Sequence, residues 1–382
     1  MPFAAALSEH PLATHAVGEV VGGVLEGLGD RPDLAVLFVG AAHTGAMEDI
    51  AAAVHRLLGP RALIGCTAGT VVGIDREVED HAAISLWAGR LPTVEVHRLT
   101  ATHTTQGVAV TGFPAAEDLP PDASAIILLA DPFTFPAEEF TLGLRSRAGI
   151  GLPVVGGLAS AARGPGGNRL VLDDVVLDDG AVAVIVGGVD VTTIVSQGCR
   201  PIGEPMVVTS GEGTMIRELA GRNALERVQE ILRALPPDDL VLAQRGLHLG
   251  RVIDERKAEF ERGDFLIRDV LGADPASGAV AVGDEVEVGA TVQLQVRDAY
   301  SADEDLRDLL YARSADGALL FTCNGRGTHL FGEEDHDATL VSDLLDRAPL
   351  AGMSCAGELG PVGGRSFLHS FTASVLLLSD RH

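Results

Sequence analysis

The chain has 382 residues, 46% of them hydrophobic but only 4% aromatic, which is ample material for a core built on Val, Leu, Ile and Ala. Its 54 acidic residues face 28 basic ones, and a formal charge of −26 argues against nucleic-acid and membrane-surface roles because such a field repels phosphates and anionic headgroups. The single lysine, Lys257, lies in the charged run 254–259, which reads as a solvated helix face. No G-x-x-x-x-G-K-[ST] phosphate loop is therefore possible, and Schiff-base chemistry is disfavoured.

Residues 1–30 form an N-terminal extension with a helix. Beyond it, three segments share one plan. Each opens with a strand-like apolar run (Leu34 to Val39, Ala125 to Ala130, Ala318 to Thr322) and continues into a loop and helical stretch such as Gly45 to Leu58 or Asp337 to Arg347. Each then reaches a short apolar run ending in a glycine-rich turn: 63–69 around Gly65-Cys66-Thr67, 154–160 around Gly156-Gly157, and 350–357 around Ser354-Cys355. Another strand-like run closes each segment, at Ala82 to Trp87, Val182 to Val186 and Ala373 to Leu378. The plan fits strand-helix-strand crossovers, and continuous Val/Leu/Ile runs fit strands buried on both faces. The expected fold class is α/β, with layered mixed sheets built from these repeated units.

Between the second and third segments, Ile216, Leu219, Leu225, Val228, Ile231 and Leu232 fall on one helical stripe, predicting a helix over 214–235 that Pro236-Pro237 stops. From Leu240 to Val296 short strands are expected, with turns at Gly263-Asp264, Gly278 and Gly283-Asp284. Ser301 to Glu304 reads as a capping box opening a helix over 303–313.

Four widely spaced cysteines, Cys66, Cys199, Cys323 and Cys355, give neither a disulfide framework nor a zinc knuckle. No signal-like start and no membrane-length apolar run is present, so a cytoplasmic protein with reduced thiols is expected.

The strongest local motif is Cys323-Asn324-Gly325-Arg326-Gly327. Glycines flanking an arginine allow backbone N–H groups to face one way, and the planar guanidinium suits a carboxylate or phosphate. The competing reading is a tight turn whose arginine pairs with Glu333, Glu334 or Asp335. The glycine turns add small residues and hydroxyls at strand ends, where α/β sheets hold ligands: Thr67, Ser160 and Ser354, with Gly157, Gly357, Cys66 and the Glu358 carboxylate beside them. A thiol nucleophile would use Cys323 or Cys355 with Glu358. Haem or metal ligation by His43, His329, His336 or His369 has no paired spacing behind it. No catalytic residue, metal ligand or cofactor is identified.

These residues resemble the FIST family. Cys323 to Gly327, Pro349 to Gly352 and Gly357 to Pro361, preceded by Gly289 to Ala299 and Ser301 to Asp303, are similar to the C-terminal FIST domain. Gly65 to Gly69, Gly156-Gly157, Ser196 to Gly203 and Glu218 to Glu226 are similar to the N-terminal one. The resemblance implies domains over 31–226 and 227–382 and an intracellular sensory module that binds a small ligand, amino acids being among the suggestions. It also implies that the motif positions Cys323, Gly325, Arg326, Gly327, Gly357 and Glu358 matter. The chain has no room for a kinase, methyl-accepting or F-box segment, so a stand-alone form is expected, one that either signals through a separate protein or simply holds a ligand. A haem sensor, an interaction scaffold and a thiol-dependent enzyme stand as the alternatives.

Overall fold

The computed structural model describes residues 2–105, 107–146 and 148–381; Met1 and His382, the ends of the expected domain ranges, lie outside them. The protein is mixed α/β with four mostly antiparallel sheets, and it divides into two compact units. Unit one comprises 1–195, 307–368 and 372–382, and unit two comprises 196–306 with 369–371.

Unit one holds three sheets. In the first, strand Leu34–Gly40 runs parallel to Ala62–Ala68, with helix α1 (Ala13–Leu28) before them and α2 (Met47–Leu58) between them. In the second, Ala123–Ala130 runs parallel to Val154–Leu158 around α3 (Ala137–Ser146). In the third, Gly317–Cys323 runs parallel to Leu350–Cys355. The other pairings of these sheets are antiparallel, among them those of Ile84–Gly89, Ala181–Gly187 and Thr372–Ser379.

The apolar runs are continuous because both faces of these strands are covered. Val36 and Phe38 point into a core shared with Ile127, Leu129, Leu319 and Phe321, while Ala35, Leu37 and Val39 pack under α1 and α2. Phe38 meets Phe321 edge-on at 6.0 Å. Ile126 and Leu128 turn the other way, onto Phe140 and Leu144 of α3.

The glycine-rich runs are mostly strand rather than turn. Gly65, Gly156 and Gly352 sit inside strands opposite Leu37, Leu128 and Leu320 of the parallel neighbour, and a methyl group at any of them would collide with that leucine's carbonyl oxygen. Glycine here buys close approach of two backbones.

After each run the chain forms a hairpin that joins a different sheet. Thr70–Gly73 and Arg76–Glu79 extend the third sheet through Leu350–Cys355. Leu170–Leu172 and Val175–Leu177 extend the first through Ala62–Ala68. Glu358–Val362, followed by Arg365–His369, extends the second through Val154–Leu158. This cyclic exchange brings the three corners together.

Unit two is a seven-stranded antiparallel sheet that includes Cys199–Glu212, Thr291–Arg297, Leu247–Val252 and Phe265–Asp274. Here several expectations are corrected. The helix expected over 214–235 is a strand, Met215–Leu219, then a turn with Ala220 in the left-handed region, and only then α4 (Ala224–Ala234). Ile216 and Leu219 face the same core as Val228, which is why one helical stripe seemed to run through them. The Asn223 side chain caps α4 by accepting from the Glu226 N–H. Residues expected to begin the short strands form α5 (Pro237–Arg245), entered through Pro237 in its first turn. Helix α6 (Ala299–Leu310) starts before Ser301, whose hydroxyl donates to Asp298. Lys257 lies in a turn rather than on a helix and pairs with Asp264 at 2.5 Å.

Among the described residues no helix is long and apolar enough to cross a membrane, which leaves β-barrel spans unaddressed.

Candidate functional site

The three corners meet in unit one through main-chain and hydroxyl bonds. Ser160 Oγ accepts from the Gly69 N–H at 3.0 Å and donates to the Ser354 carbonyl at 2.6 Å. Ser354 Oγ accepts from the Thr70 N–H at 3.0 Å. Thr67 exchanges bonds with Arg169 of the neighbouring hairpin, and its carbonyl accepts from the Ser160 N–H. Gly157 lies opposite Glu358, and a methyl group there would strike the Cys355 sulfur. The Gly357 carbonyl accepts from the Leu158 N–H. So Thr67, Ser160, Ser354, Gly157 and Gly357 are gathered in one place. The Gly69 and Thr70 N–H groups are already bonded to serine hydroxyls, so these two do not face outward as an anion cradle.

Glu358 is fully buried and accepts from both the N–H and the hydroxyl of Thr372, at 3.1 and 2.9 Å. Cys66 and Cys355 are also buried, and burial pushes both thiols well above the ordinary range. Cys66 sits 3.1 Å from the Met353 sulfur. Burial therefore disfavours the thiolate form at both positions. Cys323 is half-buried.

The motif loop leaves the third corner at Asn324, whose N–H bonds to the Cys355 carbonyl at 3.0 Å. Asn324 is itself exposed, and the Gly325 N–H turns back onto Cys323. Arg326 folds inward. Its Nε and Nη2 donate to Asp337 at 2.5 and 2.9 Å, and both side chains are 0% exposed. The arginine thus pairs with a nearby acid, but with none of the three considered from the sequence; Asp335 instead holds Arg76 at 2.8 Å. Gly327, with φ of 63°, brings the backbone against Glu79, which accepts from the N–H and hydroxyl of Thr328. Phe331 of the short helix α7 (Thr328–Phe331) lies under the guanidinium at 5.2 Å and stacks on His336, which opens α8 (His336–Leu344).

A second buried carboxyl completes the cluster. Glu77, on the exchanged hairpin, accepts from the Asp337 N–H at 3.0 Å. Burial, then the nearby Asp337 carboxylate, raises its pKa to about 8, whereas burial of Asp337 is outweighed by Arg326, which lowers that pKa to about 2. At neutral pH the cluster therefore carries one cation, one anion and one mostly neutral acid. Arg326 Nη1 is shielded from solvent and has no hydrogen-bond partner among the described residues.

The shift in Glu77 has a definite sign. The folded state holds a proton that the unfolded state has lost between 4.5 and about 8, so this contribution stabilises at low pH and disappears as pH rises through that window. Wild type should lose stability relative to Glu77→Gln across that range, as read by urea denaturation at each pH. Parallel pH profiles for the two proteins would disprove the assignment.

Glu77, Glu79 and Asp337 were not expected at the site, and His336 was weighed only as a haem or metal ligand. The only trace is the acidic alternation of Arg76-Glu77-Val78-Glu79, which looks like an exposed strand face. No cluster of three or more metal-ligating side chains occurs among the described residues.

The FIST N domain model matches residues 33–222, and the FIST C domain model matches 224–361. The uncharacterized protein Rv0628c of Mycobacterium tuberculosis is 45% identical over 377 residues, covering 96% of this chain and 95% of that protein. The uncharacterized protein Mb0898c of Mycobacterium bovis is 43% identical over 384 residues, covering 97% of each. The cyclic exchange of hairpins is built from both matched regions, and the Arg326 cluster likewise draws Glu77 from the first and Asp337 from the second. With both domain models matched in order and two near full-length relatives, the chain belongs to the FIST family.

Proposed function

We propose that this FIST protein is a sensory module that binds a small molecule bearing an acid group at the junction of the three corners, with Arg326 supplying the charged donor. The observation that supports this is the buried Arg326 Nη1, a charged N–H in low dielectric with no acceptor among the described residues. Such a group is costly, and its retention is accounted for by an acceptor that arrives with the ligand. The corner residues Ser160, Gly69 and Thr70 are half-buried, so a ligand can approach them from solvent. Asp337 holds Arg326 in place while the mostly neutral Glu77 leaves room for one further negative charge. Output passes to a separate signalling protein.

A melting-temperature screen of organic acids and amino acids tests this. A ligand at 100 times its Kd stabilises by about 2.7 kcal/mol. Arg326→Lys keeps the pair with Asp337 but removes Nη1, and the lost charge-assisted bond of roughly 1.5–3 kcal/mol should weaken binding about tenfold or more. A panel without a single stabilising acid, or a hit whose affinity is unchanged in Arg326→Lys, would sink this reading.

A further inference from the structure

Unit two contains a cavity of its own, remote in sequence from the Arg326 loop. Strand Cys199–Glu212 pairs regularly with Thr291–Arg297 up to Ile202, opposite Leu294, and resumes at Met206, opposite Val292. Between those pairs the first strand spends two more residues than its partner, so Gly203 and Glu204 bulge out of the sheet. Gly203 has φ of 65°, and a Cβ there would lie 2.9 Å from Ile231 of α4, so the bulge sits directly against that helix. The Gln293 side chain pins it by donating to the Gly203 carbonyl at 2.6 Å. A space of about 430 Å³ opens beside it, floored by Ile202, Ile231 and Leu235 and closed by Pro236 at the turn into α5. That volume is in the range of small-molecule sites.

One end of this apolar space is bordered by an arginine, Arg227. Arg227 and Ile231 lie one turn apart along one line of α4, about 6 Å in length, and Leu235 is the extended residue that directly follows the helix. Arg227 donates through Nη1 to Glu230 at 2.9 Å, but Glu230 is already gripped by both terminal nitrogens of Arg222. Two guanidiniums thus share the Glu230 carboxylate, and Glu226 lies near Arg222 as well, so Arg227 has only part of one counter-charge. Arg227 Nε is shielded from solvent and has no hydrogen-bond partner among the described residues. Two other charges border the space. Asp239 is bonded to Arg200, which also holds Asp298, and Glu204 is exposed on the rim.

We infer that this cavity is a second ligand site, for a medium-chain apolar monocarboxylate, with the carboxylate on Arg227 and the chain along Ile231 and Leu235. This rests on unit two alone and stands or falls apart from the Arg326 reading. Octanoate is the probe, titrated calorimetrically into the full chain, with octanol as the head-group control and octylamine as the charge-reversed one. Octanoate should bind at least tenfold more tightly than either control. Arg227→Gln should remove that preference while leaving octanol unchanged, and Glu204→Gln should tighten octanoate by relieving repulsion at the rim. Arg227 is partly exposed, so unchanged far-UV circular dichroism and melting are expected and serve as the folding check. Equal binding of octanoate and octanol, no binding of either, or an octanoate affinity indifferent to Arg227→Gln would each overturn the inference.

Discussion

Asp337→Asn is expected to destabilise the protein by about 3–5 kcal/mol, because it leaves the Arg326 guanidinium buried without its counter-charge. The pair is fully enclosed, and Asp337 accepts two bonds from Arg326 and lies 3.1 Å from His336 Nδ1. Burial by itself would lower the Arg326 pKa, and Asp337 more than offsets that, so without the carboxylate the cation is left to pay its own desolvation. Glu77 could compensate by ionising, and the measured cost should therefore be larger at low pH than at high pH. Replacing both partners by apolar residues, as in Arg326→Met with Asp337→Leu, should cost less than Asp337→Asn alone. Urea denaturation decides the matter: a loss under about 1 kcal/mol for Asp337→Asn would mean that the pair is solvated like a surface bridge.

The second large effect concerns Gly352. In Gly352→Ala the new methyl meets the Leu320 carbonyl oxygen of the adjacent parallel strand, and both atoms belong to backbones locked in a buried sheet. A side chain could rotate away, but a main-chain carbonyl here can move only if the ladder opens. Overpacking of this kind costs typically 1–3 kcal/mol where side chains yield and more where they cannot. We expect at least about 3 kcal/mol, seen as a lowered unfolding midpoint or loss of the folded protein. Gly18→Ala is the matched control, since nothing lies within 4 Å of its Cβ position and it sits exposed on α1. That change should stabilise by roughly 0.5–1 kcal/mol. If the two substitutions had similar effects, strand-to-strand contact would not be the reason for the glycine.

Much of this protein can be read directly along the chain. Runs such as Leu34 to Val39 announce strands covered on both faces, because no polar residue interrupts them. The spacing of glycines was visible too, but its meaning was not. A glycine required for a turn and one required for close approach of two strands leave the same mark in a sequence. Only the register opposite Leu37, Leu128 and Leu320 tells them apart. The stripe through Ile216 and Val228 failed for a related reason: a short strand and a helix can face one core, and periodicity cannot see the turn between them.

What the sequence established by itself was family membership, the main apolar strands of unit one and the Arg326 motif, all properties of contiguous residues. The partners of Arg326, the meeting of the corners and the composition of the two compact units came from folding. Asp337 is eleven positions away, Glu77 contacts it across 260, and each hairpin completes a sheet begun elsewhere in the chain. Hydrogen-bond pairing and desolvation depend on distance in space, and a linear pattern carries no record of which distant segments will meet.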